Sequence, residues 1–402
     1  MRGPGLHGDR RRTAIAGIVG AVMLASLAGA CLASSRATEP VVGNGPALPP
    51  PISAGPPAAG QRLPRSFTVV ATGDIRPSPR VVRQAGRDGG GRLDYRGMLA
   101  PLVPFISEAD LAICHLDRPL APAPRRHRGA GAAPPGPALA LAELGYDACA
   151  VASDHALDQG AAGVARTLRG LDAAGLWHAG AARSAAEAAA PTMMNVRGVR
   201  VALLSATGGV AERQPLRAAP WLVDRIDPGR ILAAARRARR AGARAVIVSL
   251  HWGEAAGPAA SPGQIALARR LLGSPDIDLV VGQGGAVVQP FGRATNGKFV
   301  AYGMGHLLAA PARRPAATEP TPAAGIVTRF TFARGAGGGW KVTRAEFIPT
   351  FIDTGPPLRV VEVTEALADP GLPAARRRVL QDVLRRTMRT VYSRGAAPVL
   401  AR

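Results

Sequence analysis

From Phe67 onward the chain alternates short apolar runs with amphipathic stretches. FTVVATGD (67–74), LAICHLD (111–117), ACAVASDH (148–155), VALLSAT (201–207), AVIVSLHWG (245–253) and DLVVGQGG (278–285) predict buried strands. FVAYGMGH (299–306) and TRFTFARG (328–335) follow the same pattern. Between them, GVARTLRGLDAAG (163–175), ILAAARRARRAG (231–242) and IALARRLLG (265–273) space their apolar residues for helices. In 231–242 the arginines can take the solvent face while Ile231 and Leu232 face a sheet. Strand–helix alternation of this kind predicts an α/β fold, a sheet with helices packed on it. Beyond 328 the character changes: hairpin-like pieces surround GAGGGWKV within 328–364, and an Arg-rich helix spans 373–392.

The N-terminus adds an address. Arg10, Arg11 and Arg12 precede TAIAGIVGAVMLASLAGAC, an apolar stretch with the length of a signal-peptide core. Cys31 follows small residues, as at a bacterial lipoprotein cleavage site. Ordinary cleavage after Ala28–Gly29–Ala30, lipidation of Cys31 and an uncleaved anchor all stay open. Export to the extracytoplasmic face of the membrane, or secretion, is the expectation. Residues 32–65 are rich in Pro, Ala, Gly and Ser and read as a tether. The expected division is therefore 1–31 signal or anchor, 32–65 tether, 66–364 folded domain, and 365–402 C-terminal helix and tail.

Charge changes the picture less than it first suggests. The formal charge is +23, and it comes almost wholly from arginine, since Lys298 and Lys341 are the only lysines. Heavy Arg, Ala, Gly and Pro use together is what a GC-rich genome produces. No basic cluster is interleaved with aromatics, so nucleic acid is excluded as the partner class. A basic surface suits anionic envelope polymers or lipid headgroups instead. Cys114 and Cys149 lie in the apolar runs LAIC and ACAV and are read by preference as buried small hydrophobes. A disulfide between them stays open if their strands are neighbours.

Seven histidines occur, and four of them, His115, His155, His251 and His306, fall at the C-terminal ends of predicted strands or just beyond. Asp74, Asp117, Asp154 and Glu254 occupy similar places. In open α/β sheets these ends form the ligand crevice. Carboxylates and neutral imidazoles converging from several strands are what a metal centre needs. Asp158 suits a helix start, and Trp252 either stacks on a ligand or packs. Arg76 and Arg118 follow motif residues closely and could hold an anionic group.

In order, ATGDI (71–75), CHLDRPL (114–120), VASDHALDQG (151–160) and WHAGAARSAAEAAAP (177–191) resemble successive motifs of one bacterial family. SLHWG (249–253), SPGQIALARRLL (261–272), DLVVGQGGAVVQP (278–290) and VAYGMGH (300–306) continue the series. The family is CapA, of poly-γ-glutamate capsule biosynthesis, related to calcineurin-like metallophosphoesterases. The resemblance runs from about Phe67 to Leu308 and implies a metallophosphoesterase-like α/β/β/α sandwich. It implies metal-coordinating groups at Asp74, Asp117, Asp154, His155 and His251. It also implies a divalent ion (Mn, Fe, Zn or Mg), and an anionic envelope polymer or its biosynthetic machinery as partner.

The departures matter more than the matches. The family's Glu is Asp117, one Asn is Asp154, and two further Asn positions are His115 and His306. The family's three histidines in the 282–286 loop correspond to Gln283, Gly284 and Ala286, none of which replaces imidazole. A two-metal hydrolase needs both ions about 3.5–4 Å apart, so at least one position should be weakened or empty. One ion on Asp74, Asp154, His155 and His251 is chemically reasonable, with His306 and His115 as compensating ligands or, by preference, supporting and strand-capping residues. Two functions follow from this. One is a weakened metal-dependent phosphoesterase with His155 and His251 as catalytic ligands or charge stabilisers; the other is a non-catalytic protein that binds an envelope polymer or partner.

Overall fold

The computed structural model describes residues 63–402 apart from 92, 121–135, 211–213, 254–256, 310–322, 397 and 402. The expected signal segment with Cys31, most of the tether, and Glu254 lie outside the described residues. Four parallel strands come first: β1 (Ser66–Ile75), β2 (Leu111–Leu116), β3 (Ala148–Ala150) and β4 (Trp177–Ala179). The next six are β5 (Thr192–Val196), β6 (Val199–Thr207), β7 (Ala245–His251), β8 (Leu279–Gln283), β9 (Phe291–Arg293) and β10 (Phe299–Ala301). They form a second sheet in the order β5-β6-β7-β8-β10-β9, parallel at its centre with antiparallel edges. The chain then returns to the first sheet with β11 (His306–Leu308), β12 (Ala324–Arg334), β13 (Trp340–Asp353), β14 (Arg359–Glu362) and β15 (Val399–Leu400). That sheet runs β14-β13-β12-β1-β2-β3-β4, with β11 beside β1 and β15 beside β13.

The apolar runs look continuous because both faces of each central strand are covered. Residues alternate strictly between two cores. In β7, Ala245 and Ile247 face the first sheet while Val246, Val248 and Leu250 face helices. In β2, Leu111 and Ile113 face the second sheet while Ala112, Cys114 and Leu116 face helices. Helices Pro79–Asp88, Pro137–Glu143 and Gly160–Ala173 cover the outside of sheet one. Helices Pro228–Arg240 and Pro262–Leu272 cover the outside of sheet two. The fold is thus an α/β/β/α sandwich. Asp227 caps the first of those two helices, and a Ser261–Gln264 capping box starts the second, which is why both begin abruptly at Pro-Gly.

The C-terminal helix Ala374–Tyr392 is built into this frame. Leu380 and Val383 pack with Val363, Val391 joins the inter-sheet core, and β15 pairs with Glu346 and Phe347. No helix among the described residues is long and apolar enough to cross a membrane.

One sequence expectation is corrected here. Cys114 and Cys149 are not free thiols but a disulfide, with Cα atoms 4.5 Å apart. Parallel pairing of β2 with β3 puts them in direct register, so the sulfurs meet in the core between sheet and helices.

The same pair of strands carries a buried acid. Asp147 accepts the Ala112 N–H at 2.7 Å, and burial pushes its carboxyl up to about 7, with the charge of Asp110 adding to the rise. A raised carboxyl holds its proton more tightly when folded. Its contribution is therefore complete below the unfolded value near 4 and lost as pH rises through about 7. Asp147→Asn keeps an acceptor for Ala112 without the charge. Thermal melts should show the variant gaining on the parent between pH 4 and pH 8; a constant difference across that range would refute the assignment.

Candidate metal centre

The centre forms where both sheets end. Asp74 sits near the end of β1, His115 opposite it on β2 and Asp117 just past β2, while His251 closes β7 of the other sheet. All four are buried, and one ligand atom from each lies within 4.8 Å of all the others. Glycine makes the convergence possible. A Cβ on Gly73 would stand 2.2 Å from the Gly305 carbonyl oxygen, so only hydrogen side chains let β1 and the 304–306 segment touch. The Asp74 N–H donates to that carbonyl at 3.0 Å, and Asp74 pairs with His306 on one side and His115 on the other.

His115 defines the electrostatics. Its Nε2–H donates to the Ala152 carbonyl at 3.2 Å, so in the neutral ring the nitrogen without a proton is Nδ1. That nitrogen faces Asp74 Oδ1 at 2.8 Å. Two lone pairs at this distance require a cation between them, a proton or a metal. Without a metal the pair shares a proton. Burial alone would raise Asp74, but the hydrogen bond and charge of His115, with His306 and His251, hold it far below the usual carboxylate range. Burial would lower His115, and Asp74 and Asp117 instead raise it. Asp117 Oδ1 and His251 Nδ1 face each other at 3.8 Å, both buried and, among the described residues, neither with a hydrogen-bond partner. Two carboxylates and two imidazoles with polar atoms left unsatisfied fit a divalent cation.

The remaining expected residues stand around this group. Asp154 Oδ1 lies 3.1 Å from His251 Nε2, at the exposed rim. Burial raises Asp154, but the His251 hydrogen bond and charge, with His155 and Arg76, bring it down to about 2. His155 Nδ1 lies 2.9 Å from Asp158 Oδ2, and its Nε2 is 3.3 Å from Arg118 and 3.9 Å from Asp154. His306 Nε2 is 3.9 Å from Asp74 Oδ2, outside the tight cluster. Arg76 donates from Nε to Asp117 Oδ2 at 2.6 Å, orienting it. Trp252 is buried and donates from Nε1 to the Tyr302 carbonyl, so it packs. Asp158 pairs with a histidine beyond any service to a helix end.

His115 is the ligand that sequence reasoning placed second. Its signal was there in weak form, as a histidine at a strand end, but only the Asp74–His115 register makes it central. The 282–286 loop explains itself too. Gln283 is buried, accepting from Ser249 Oγ at 2.9 Å. Gly284 has φ +83°, and a Cβ there would lie 2.7–2.8 Å from the His251 ring. The Gly284 N–H points at Asp74 Oδ2 at 3.3 Å.

The family model described as bacterial capsule synthesis protein PGA_cap matches residues 68–310. The chain belongs to this family. It is 30% identical over 173 residues to the capsule biosynthesis protein CapA of Bacillus anthracis, covering 42% of this chain and 41% of that one. It is 33% identical over 182 residues to a probable polyglutamine synthesis accessory protein of Mycobacterium tuberculosis, covering 42% and 47%. The matched region thus spans less than half the length of these relatives. Among solved structures, an NAD nucleotidase of Haemophilus influenzae aligns over 81% of this chain and 63% of its own, at 11% identity and TM-score 0.45. The calcineurin-like phosphoesterase YfkN of Bacillus subtilis aligns over 81% and 97%, at 12% identity and TM-score 0.44. The cluster of Asp74, His115, Asp117 and His251 lies inside the matched region.

Gly284→Ala tests how tightly the loop is fitted to His251. The added Cβ meets the ring and φ stays positive, so a loss of about 1–3 kcal/mol is expected. Chemical denaturation should register that loss, and a variant as stable as the parent would show that the loop yields freely.

Proposed function

We propose that this chain is an exported capsule-synthesis protein that holds one divalent cation on Asp74, His115, Asp117 and His251. The observation that carries this reading is the convergence of four buried groups, with His115 Nδ1 turned on Asp74 Oδ1 at 2.8 Å by the Ala152 carbonyl. A donor set of two imidazoles and two carboxylates favours Zn, Mn or Fe over Mg. Such an ion supplies Lewis-acid polarisation of a phosphoryl or related oxygen. The chain's own groups divide the remaining work. Arg76 fixes Asp117 and, being partly exposed, offers a guanidinium to an anionic substrate. His155, with Asp158 at Nδ1, is placed to accept or return a proton at Nε2, which Arg118 approaches to 3.3 Å. Asp154 orients His251 from the rim.

The substrate class we assign is an anionic envelope polymer of the poly-γ-glutamate type, or the machinery that makes it, in keeping with the names of the relatives. Export is supported by the apolar N-terminal segment and by the Cys114–Cys149 disulfide, which suits an oxidising compartment. Attachment to the membrane through that segment or a lipid belongs to the same proposal. A second reading, a binding protein without turnover, is favoured by Gln283 and Gly284, which leave the 282–286 loop without imidazoles for a second ion.

Metal analysis and aryl phosphate hydrolysis, before and after Mn²⁺ loading, separate the readings. About one equivalent of ion per chain is expected, with affinity falling roughly 100-fold or more in His115→Ala or His251→Ala. Two equivalents would overturn the one-ion centre. No metal and no hydrolysis under any loading would leave the binding protein.

A further inference from the structure

A cavity of about 480 Å³ opens at the edge of the second sheet, and its cause is a gap in strand pairing. β5 accompanies β6 only as far as Thr192 opposite Leu203. The next partner on that edge is Arg225, bridged to Thr207. Among the described residues, Leu204, Ser205 and Ala206 therefore have no strand beside them there. Helix Pro228–Arg240, the 180–191 segment and the turn at Trp221 wall the opening.

The lining is unusual in three respects. The Ser205 hydroxyl is buried and has no hydrogen-bond partner. Gly180, at φ +100°, keeps the space beside it open, since a Cβ there would stand 2.8 Å from Ser205 Oγ. Three exposed arginines, Arg225, Arg230 and Arg237, border the cavity, and among the described residues none has an ion pair or side-chain hydrogen bond. Glu187 is tied up by Arg183. Asp224 is the free carboxylate; burial pushes it up, and Arg230 and Arg237 pull it back, which places both guanidiniums near it. Three cations against one free carboxylate leave two positive charges in excess.

We propose that this cavity is a second ligand site, taking a small molecule with one oxyanion group, carboxylate or phosphate, on a compact apolar or aromatic body. The oxyanion pairs with Arg230 and Arg237, and the body lies against Trp221, Ile231 and Val248. The Ser205 hydroxyl serves a polar group that reaches the inner end. The volume falls in the ordinary range for such sites, about 300–1,000 Å³. The site is distinct from the metal centre but backs onto it. A Cβ on Gly180 would also stand 2.7 Å from the side chain of Ala152, whose carbonyl holds His115.

Calorimetric titration of the full chain with benzoate and with phenyl phosphate, alongside tryptophan emission, tests the proposal. Saturable binding of at least one is expected, with a change in emission that disappears in Trp221→Phe. The two probes separate carboxylate from phosphate. Binding should weaken on the order of tenfold or more in the double variant Arg230→Ala/Arg237→Ala, whose exposed positions leave folding intact, as circular dichroism can check. It should persist in His251→Ala, which disables the metal centre, so the site stands or falls separately from the one-ion reading. The proposal is overturned if neither probe saturates, if binding survives loss of both arginines, or if it vanishes with His251.

Discussion

The contact between Gly73 and Gly305 is the constraint on which the centre depends. There the chain leaves the second sheet after β10 and enters the first as β11, against a strand already paired on both sides. β12 accompanies β1 from Ser66 to Thr72, and β11 takes over at Asp74. Such a handover leaves room for main chain only. A Cβ on Gly73 would overlap the Gly305 oxygen at 2.2 Å, and that oxygen already accepts the Asp74 N–H. Any larger residue at either position would move Asp74 away from His115, and the lone-pair confrontation that calls for a cation would disappear.

The centre draws its imidazoles from β2 and β7. The 282–286 loop presents Gln283 and Gly284 to it, and the His251 ring fills the volume beside Gly284. The His115 ring lies 5.2 Å from that of His251 in a stacked arrangement. Carboxylates from β1 and β2 face imidazoles from β2 and β7, all of them shut away from water. That burial makes each unsatisfied atom costly and gives the ion, or the proton that stands in for it, its energetic hold.

The sandwich was legible because its central strands are covered on both faces and so read as unbroken apolar runs. The helices over 160–173, 228–240 and 262–272 were legible from their spacing. What escaped was whatever depends on register between distant segments. Cys114 and Cys149 look like two small core residues until β2 and β3 are aligned. His115 looks like a cap until it is seen opposite Asp74. Helix Pro79–Asp88 carries three arginines and a glycine among ten residues, and that composition hid it. The cavity beside β6 had no sequence signature at all, because it arises from where β5 stops.

The two sheets are joined at the centre by side chains of opposite character, Asp74, His115 and Asp117 from one and His251 from the other. A cation there would be a rivet between the halves of the sandwich. Its binding energy belongs partly to the folded state, which would be favoured in proportion to ion supply. A cell short of the metal would then face a scarcity of intact protein as much as a loss of its action. Under the proposed export, beyond chaperones that hydrolyse ATP, mineral supply would become a form of quality control.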